Sequence, residues 1–277
     1  MNLSFKKTVL SLLIIAAVGA GFIWWSVSAN SADDVPEFYF TRLVYTDNGQ
    51  RGWTMPKPNE EFECWEFGTE TYFPRQGWGW ATDYPGADCK FMGGISRLSK
   101  VRVHPHPNAT RIMDENLFTF PYVYAVEVGG MHLSNPEAAR LREYLLRGGF
   151  LHADDFWGRW ELNNFVVQMR KVFPDRQLEQ LPLTHEVFHT FFDVDEIMQI
   201  PNVGSGCRGG RTWESGDDIV PRIFGISDDN GRLMVAVTYN SDLGDAWEYM
   251  DMECYPEKFS GFAYRVGLNL MIYAMTH

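Results

Sequence analysis

The chain has 277 residues, of which 45% are apolar and 22% charged, with 20 Phe, 12 Tyr and 10 Trp. A chain of this composition buries enough apolar surface to offset its ordering entropy, which excludes intrinsic disorder, and its 25 Gly and 14 Pro show no collagen-like period. The formal net charge of −12 argues against duplex nucleic acid or an anionic lipid surface as the main partner.

Residues 1–29 have the features of a targeting segment. Lys6 and Lys7 precede an apolar run of 19 residues, Val9 to Val27. A signal peptide has an apolar region of roughly 7–15 residues and a spanning helix needs about 20, so this run fits either a cleaved signal peptide or an N-terminal membrane anchor. Small residues ending at Ala29 would permit cleavage. In both cases we expect the rest of the chain to be exported, to the periplasm or the outer face of the membrane.

The exported part, residues 30–277, is predicted to be a single α/β domain with 22 basic and 36 acidic residues. It carries the cysteines Cys64, Cys89, Cys207 and Cys254, and none of them forms a CxxC pair, so zinc-finger spacing is absent. An even number of cysteines in an exported chain indicates disulfides. We favour the pairs Cys64–Cys89 and Cys207–Cys254 because each would hold a loop-rich region, while the other pairings and free thiols stay open.

Strands and helices alternate along this part. Branched and aromatic residues predict a strand over 37–45, and the stretch 46–82, rich in Gly, Pro and Trp, is interpreted as a loop-rich excursion. The clearest helix begins with a capping-box pattern of Ser134 and Glu137 and ends at Gly148. The other predicted elements are a helix over 88–100, strands over 101–103, 122–128 and 150–153, a helix over 162–172, strands over 222–226 and 233–239, and a buried terminal helix over 259–274.

This order predicts βαβ units and therefore a mainly parallel, doubly wound sheet with helices on both faces. In such sheets ligands bind beyond the carboxyl ends of the strands. Three predicted strands end there in acids, amides or glycines, namely Glu127, Gly129 and Gly130, then Asp154 and Asp155, and then Asn240 and Asp242. The sequence therefore predicts an acidic pocket at that edge.

Roles follow from the chemistry of these side chains. Crowded carboxylates favour either a cation or a shared proton, so a divalent metal is the cofactor that this pocket suggests. Candidate catalytic residues are Asp154, Asp155 and Glu127; candidate metal ligands are Asp154, Asp155 and Asp242; candidate ligand-binding residues are Gly129, Gly130, Asn240, Asp242 and His185. A structural role stays open, since Asp155 could cap the next helix or accept backbone N–H groups.

Three further patterns have a structural alternative that we favour or rank equally. His185 and His189 match the H-E-x-x-H zinc motif, but Pro182 and neighbouring phenylalanines argue against the long helix that zinc peptidases use. Asp83 could reach the same edge as the other acids, although Asp88 is better explained as the N-cap of a helix. Asn240, Asp242, Asp245 and Glu248 fit equally well a calcium-type oxygen cluster or a turn followed by acids at a helix start.

Particular stretches carry a resemblance to a known family. They are TDYPGAD (82–88), FPYVYAVEVGG (120–130), LREYLLRGGFLHADDFWG (141–158), VFPDR (172–176), THEVFHTFFDVDE (184–196), NSDLGDAWE (240–248) and AYRVGLNLMIYAMTH (263–277). In these stretches the chain resembles the bacterial domain-of-unknown-function family numbered 4159, over about residues 37–277. The resemblance implies a class I glutamine amidotransferase-like fold. Working amidotransferases carry a cysteine on the sharp turn after a central strand, whereas this chain has Asp154 and Asp155 there, which argues against glutaminase activity.

Two hypotheses about function follow. The first is an exported envelope domain that binds or scaffolds a ligand, an envelope protein or a glycan, through its acidic pocket. The alternative is a metal-dependent hydrolase that acts on glycans or peptides in the periplasm. They differ in whether the carboxylates of Glu127, Asp154, Asp155 and Asp242 converge within reach of one metal ion.

Overall fold

The computed structural model describes residues 37–47, 64 and 79–277. The predicted targeting segment and most of the predicted excursion over 46–82 lie outside the described residues. The strands are β1 (Thr41–Val44), β2 (Thr46–Asp47), β3 (Asn108–Arg111), β4 (Tyr122–Val126), β5 (Met131–His132), β6 (Phe150–Asp154), β7 (Glu179–Gln180), β8 (Arg222–Ser227) and β9 (Leu233–Tyr239). The α-helices are α1 (Gly86–Leu98), α2 (Asn135–Leu146), α3 (Gly158–Val172), α4 (Val203–Arg208), α5 (Leu243–Glu248) and α6 (Glu257–Thr276).

A seven-stranded sheet in the order β3-β1-β4-β6-β9-β8-β7 forms the centre of the fold. The first five strands are parallel, and β8 and β7 add two antiparallel pairings at one side. In chain order the parallel strands lie 2-1-3-4-5, which is a doubly wound order. The predicted mainly parallel α/β sheet is therefore confirmed, and the strands β1, β4, β6 and β9 end at one common edge, the carboxyl edge.

Side-chain alternation along β4 divides the interior into two cores. Tyr122 and Tyr124 belong to the core that α1, α5 and α6 cover, whereas Val123 and Ala125 belong to the core under α2 and α3. Both faces of a parallel sheet are buried in this way, which explains why the sequences of these strands are apolar almost throughout rather than alternating. All of these elements lie in one compact unit, Phe38–His277.

Local signals explain where several elements begin. The predicted capping box is present, because the Ser134 hydroxyl accepts from the Glu137 N–H and the Glu137 carboxylate accepts from the Ser134 N–H. The predicted strand over 101–103 is wrong, since only Val103 forms an isolated bridge, to Phe38. The strand beside β1 is instead β3, which begins after two prolines that cannot donate backbone hydrogen bonds.

Two disulfides join the favoured pairs, Cys64–Cys89 and Cys207–Cys254. The first attaches residue 64 to α1 and the second attaches α4 to the loop before α6. Structural disulfides are typical of oxidising, exported environments.

Among the described residues, no helix combines the length and the apolar character that crossing a membrane requires.

Candidate functional site

Three buried carboxylates meet at the carboxyl edge. Asp83, Asp155 and Asp242 each place one carboxylate oxygen within 4.8 Å of the others, and their exposed fractions are 5%, 5% and 3%. We call these three residues the acidic triad. They come from three separate parts of the chain, because Asp83 precedes α1, Asp155 follows β6 and Asp242 follows β9.

A buried arginine of β1 positions Asp83. Arg42 donates through Nη1 to the carbonyl of Trp80 at 3.2 Å and to that of Thr82, and through Nε to Asp88 at 2.8 Å. It therefore ties the loop before α1 to the first residues of the sheet. The Asp83 carbonyl accepts from the Ala87 N–H at 2.9 Å, so α1 starts directly behind this residue.

Asp155 occupies the turn between β6 and α3. Its N–H donates to the carbonyl of Ser241 at 3.2 Å, which links this turn to the end of β9. One carboxylate oxygen accepts from the indole Nε1 of Trp157 at 2.8 Å. The carboxylate does not cap α3, because the N-cap residue is Trp157 and no side chain accepts there.

Asp242 has a structural role as well as its place in the triad. It is the N-cap of α5, and its Oδ1 accepts from the N–H of Asp245 at 2.8 Å. Its own N–H donates to the carbonyl of Ile200 at 3.1 Å. The helix cap and the place in the triad are thus combined in one side chain.

The triad favours protonation or a bound cation. The pKa of Asp155 is raised well above its ordinary value by burial and then by the charges of Glu127 and Asp83. The pKa of Asp242 is likewise raised by burial and by the charge of Asp155. Within residues 37–47 and 79–277, no lysine or arginine forms an ion pair with Asp155 or Asp242. A divalent cation would supply the missing positive charge.

Glu127 lies beside the triad at the end of β4. Burial and the nearby carboxylates of Glu161 and Asp83 raise its pKa to about 8, which favours the protonated form. The two glycines that follow make room for other acids. A Cβ on Gly129 would lie 2.5 Å from the Cγ of Glu161, and one on Gly130 would overlap the carboxylate of Asp47.

Asp154 points away from the triad into the sheet. Its carboxylate accepts from the hydroxyl of Tyr124 at 2.7 Å, from the N–H of Leu243 at 3.1 Å and from the hydroxyl of Thr238. Burial raises its pKa to about 6, while the bonds from Thr238 and Tyr124 act in the opposite direction. Asp154 is thus not part of the triad, because donors from β4, β9 and the start of α5 hold its carboxylate.

Asn240 acts as a brace in the structure. Its Oδ1 accepts from the N–H of Gly158 at 3.0 Å, and its Nδ2 donates to the carbonyls of Asp218 and Val220, both at 3.0 Å. The side chain is fully buried and holds the end of β9, the start of α3 and the segment 218–220 together.

The two predicted histidines lie elsewhere. His185 is 6.5 Å from the ring of Tyr273, whose hydroxyl accepts from the N–H of Leu233, the first residue of β9. This is the opposite end of a seven-residue strand from the triad. Residues 186–188 form a short 3-10 helix, and both ring nitrogens of His189 are engaged, by Asp193 and the carbonyl of Leu183. The zinc-peptidase interpretation is therefore wrong.

Backbone conformation marks the same edge. Among the described residues, the non-glycine residues with positive φ are Asp83 (59°), Glu127 (58°), Asp155 (54°) and Asn240 (56°). Such conformations cost of order 1–3 kcal/mol each and cluster at functional sites. Three of these four residues were predicted site residues, and the fourth belongs to the triad.

A second group of acids shares one member with the triad. Asp83, Asp245 and Glu248 also place carboxylate oxygens within 4.8 Å of one another. The sequence-based interpretation as helix-start acids holds for Asp245, which lies in the first turn of α5, but not for Glu248, which is the last residue of that helix. Asp83 and Arg42 were not among the predicted site residues. A charged residue within the apolar stretch EFYFTRLVY was the available signal for Arg42.

Comparison of the sequence with known protein families finds one that matches. A family model described as a domain of unknown function, DUF4159, matches residues 71–275. The chain belongs to this family. The DUF4159 match includes every residue of the acidic triad, together with Glu127 and Asn240. A search of curated proteins found no match.

Proposed function

We propose that the protein is an exported binding domain whose acidic triad holds a hard divalent cation, such as Mg²⁺, Mn²⁺ or Ca²⁺. The observation that carries this proposal is the convergence of three carboxylates from three chain segments, each at most 5% exposed, without a lysine or arginine partner for Asp155 or Asp242 among the described residues. Oxygen-only donor sets favour these ions over zinc or copper.

The cation would in turn bind the ligand. Three carboxylates leave coordination positions open on an ion that takes six or more oxygens. A carboxylate or hydroxyl group of an envelope protein or a glycan can fill them. Net negative charge elsewhere on the chain supports a ligand that is recognised through the cation rather than through cationic side chains.

Titration of Mn²⁺ into the full-length chain, followed by calorimetry, tests this proposal. We expect saturable binding to the wild type that Asp155→Asn weakens by at least about 100-fold, because the variant removes a charged ligand. The control is Asp229→Asn, which changes an exposed carboxylate that pairs with Arg176. Equal binding by the wild type and Asp155→Asn would refute the proposal.

We further propose that the fold is a glutamine amidotransferase-like one without its nucleophile. The support is the sharp turn after β6, where Asp155 has a φ of 54° in the position at which such enzymes hold a nucleophile. Incubation with glutamine should release no ammonia above the background of buffer. Ammonia release that Asp155→Asn abolishes would contradict this.

The second candidate is a cation-dependent hydrolase of glycans or peptides. It is favoured by one feature, namely that burial and the nearby carboxylates raise the pKa of Glu127 to about 8 beside Asp155. A group of this kind can donate to a leaving group. Hydrolysis of a glycan or peptide panel that Glu127→Gln abolishes while Mn²⁺ still binds would favour this candidate. If no glycan or peptide of the panel is hydrolysed, the binding domain remains the better explanation.

A further inference from the structure

A groove of about 660 Å³ lies on the surface between the segment Asp193–Met198 and the amino-terminal half of α6. None of its lining residues belongs to the acidic triad. Sites for small ligands and short peptides have volumes of roughly 300–1,000 Å³. The groove therefore has room for a ligand that is separate from the cation proposed above.

The floor of the groove is apolar. Val194 and Phe262 line it and are only 3% and 9% exposed. Gly261 lies on the helix side, and a Cβ added there would meet no atom within 4 Å. The centre of the groove is consequently open over an apolar base.

The loop wall is acidic. Asp195 and Glu196 are exposed and line it, and Asp193 lines it while its carboxylate accepts from His189 at 2.9 Å. A ligand that faces this wall meets two carboxylates that are not engaged with the opposite wall.

The helix wall carries two cations. Lys258 and Arg265 are exposed, line the groove and are seven residues apart on α6, which corresponds to roughly 10 Å along the helix axis. Glu257 lies at the start of the same wall. Gly261 lies between the two cations, so no side chain fills the space that separates them.

The facing charges do not neutralise one another. Within the part of the chain that the structure describes, no ion pair joins Asp195 or Glu196 to Lys258 or Arg265. Oppositely charged walls thus stand apart across an open centre, and a ligand that contacts both must carry charges of both signs.

We propose that this groove binds an extended peptide segment in which basic and acidic side chains alternate. Successive side chains of an extended chain point to opposite sides, so alternating charges place every acidic side chain toward Lys258 and Arg265 and every basic one toward Asp195 and Glu196. Side chains on one side of an extended chain are two residues, or roughly 7 Å, apart, and the long flexible side chains of Lys258 and Arg265 can bridge the difference from the roughly 10 Å between their positions on α6.

Calorimetry of the full-length chain with two peptides tests this inference. The probe is acetyl-Lys-Glu-Lys-Glu-amide, and the control is acetyl-Lys-Lys-Glu-Glu-amide, which has the same composition but presents mixed charges to each wall. We expect the alternating peptide to bind at least about tenfold more tightly at about 0.1 M salt and to lose this advantage at about 1 M. Equal affinity for the two peptides, or no binding of either at millimolar concentration, would overturn the proposal.

Two variants place the binding in the groove. Gly261→Leu should fill the open centre and Arg265→Glu should reverse one charge, so each should weaken the alternating peptide by at least about tenfold. The matched control is Gly93→Leu, a glycine of α1 whose added Cβ also meets no atom within 4 Å. Circular dichroism checks that each variant is folded. If Gly261→Leu does not fold, the test depends on Arg265→Glu alone. Undiminished binding by a folded Arg265→Glu would contradict the assignment.

Discussion

Left-handed backbone at the carboxyl edge sets the position of individual side chains. Asp83, Asp155 and Asn240 are residue types that tolerate this conformation, because short polar side chains form local hydrogen bonds there. Glu127 is not of this type, so its conformation is held by the surrounding packing. The result is that two of these residues, Asp83 and Asp155, place carboxylates beside that of Asp242, whereas Asn240 fixes the backbone around the same edge.

The protonation of Glu127 predicts a dependence of stability on pH. Its folded pKa of about 8 lies above the ordinary value of 4.5, so the fold favours the protonated form and the contribution to stability is lost as pH rises from about 4.5 through 8. The slope reaches at most about 1.4 kcal/mol per pH unit. Glu127→Gln, measured by denaturant unfolding with a chelator present, should flatten this slope.

The control for that measurement is Glu253→Gln, at an exposed glutamate in the loop before α6. This variant should keep the wild-type slope. A Glu127→Gln protein whose stability depends on pH as the wild type does would contradict the assignment of the proton to Glu127.

A second prediction concerns His152, buried in the centre of β6. The Tyr122 hydroxyl lies 2.8 Å from its Nδ1, and its Nε2 lies 3.1 Å from the Thr238 hydroxyl, which in turn bonds to Asp154. Since Thr238 donates to the carboxylate, His152 must donate from Nε2 and accept at Nδ1 from Tyr122. Burial lowers its pKa to about 3.

NMR spectra of the ring nitrogens should therefore show His152 neutral from pH 7 down to pH 5, and in the Nε2–H form at pH 7, where the Asp154 carboxylate is ionised. His189 is the internal control, because its hydrogen bond to the Asp193 carboxylate raises its pKa and it should titrate in the same spectra. Protonation of His152 between pH 6 and 7, near the ordinary pKa of histidine, would contradict the proposed hydrogen bonds from Tyr122 to His152 and from His152 to Thr238.

At the scale of elements, Arg42 joins β1 to the loop and helix that carry Asp83. Arg42 and Asp88 are both fully buried and form an ion pair. Loss of one partner of a buried pair costs about 3–5 kcal/mol, whereas replacement of both by apolar residues is often close to neutral. Arg42→Met should thus unfold at lower denaturant than Arg42→Met combined with Asp88→Leu.

Mn²⁺ binding adds a readout for Arg42 that stability alone does not give. The double variant should still bind Mn²⁺ more weakly than the wild type, because the carbonyls of Trp80 and Thr82 lose their donor and Asp83 is less well positioned. If the double variant is as stable as the wild type and binds Mn²⁺ as tightly, Arg42 does not position the site.

Periodicity and capping signals located most elements but not all. The strands β4, β6 and β9 and the helix α2 follow from apolar runs and a capping box, since these are local properties. β3 did not, because its sequence NATR has neither an apolar run nor alternation, and its place in the sheet depends on pairing with β1. Tertiary pairing decides such short strands.

At the scale of the whole molecule, the strand order creates the candidate site. The order of the parallel strands places the ends of β6 and β9 side by side, and Asp83, from the residues directly before α1, lies with them. The sequence predicted that Asp155 and Asp242 would share this edge, because parallel strands end together. It did not select Asp83, which is separated from β1 in the chain and follows residues whose carbonyls accept from Arg42, nor did it separate the roles of Asp154 and Asp155.

The most direct test of the account is the metal content of the purified full-length chain, measured by mass spectrometry beside Asp155→Asn, Asp242→Asn and the control Asp229→Asn. The account predicts stoichiometric Mg²⁺, Mn²⁺ or Ca²⁺ in the wild type and the control, and its loss from both triad variants while they remain folded. No stoichiometric ion in the wild type after equilibration with these metals, or full retention of an ion in both triad variants, would contradict a cation at Asp83, Asp155 and Asp242.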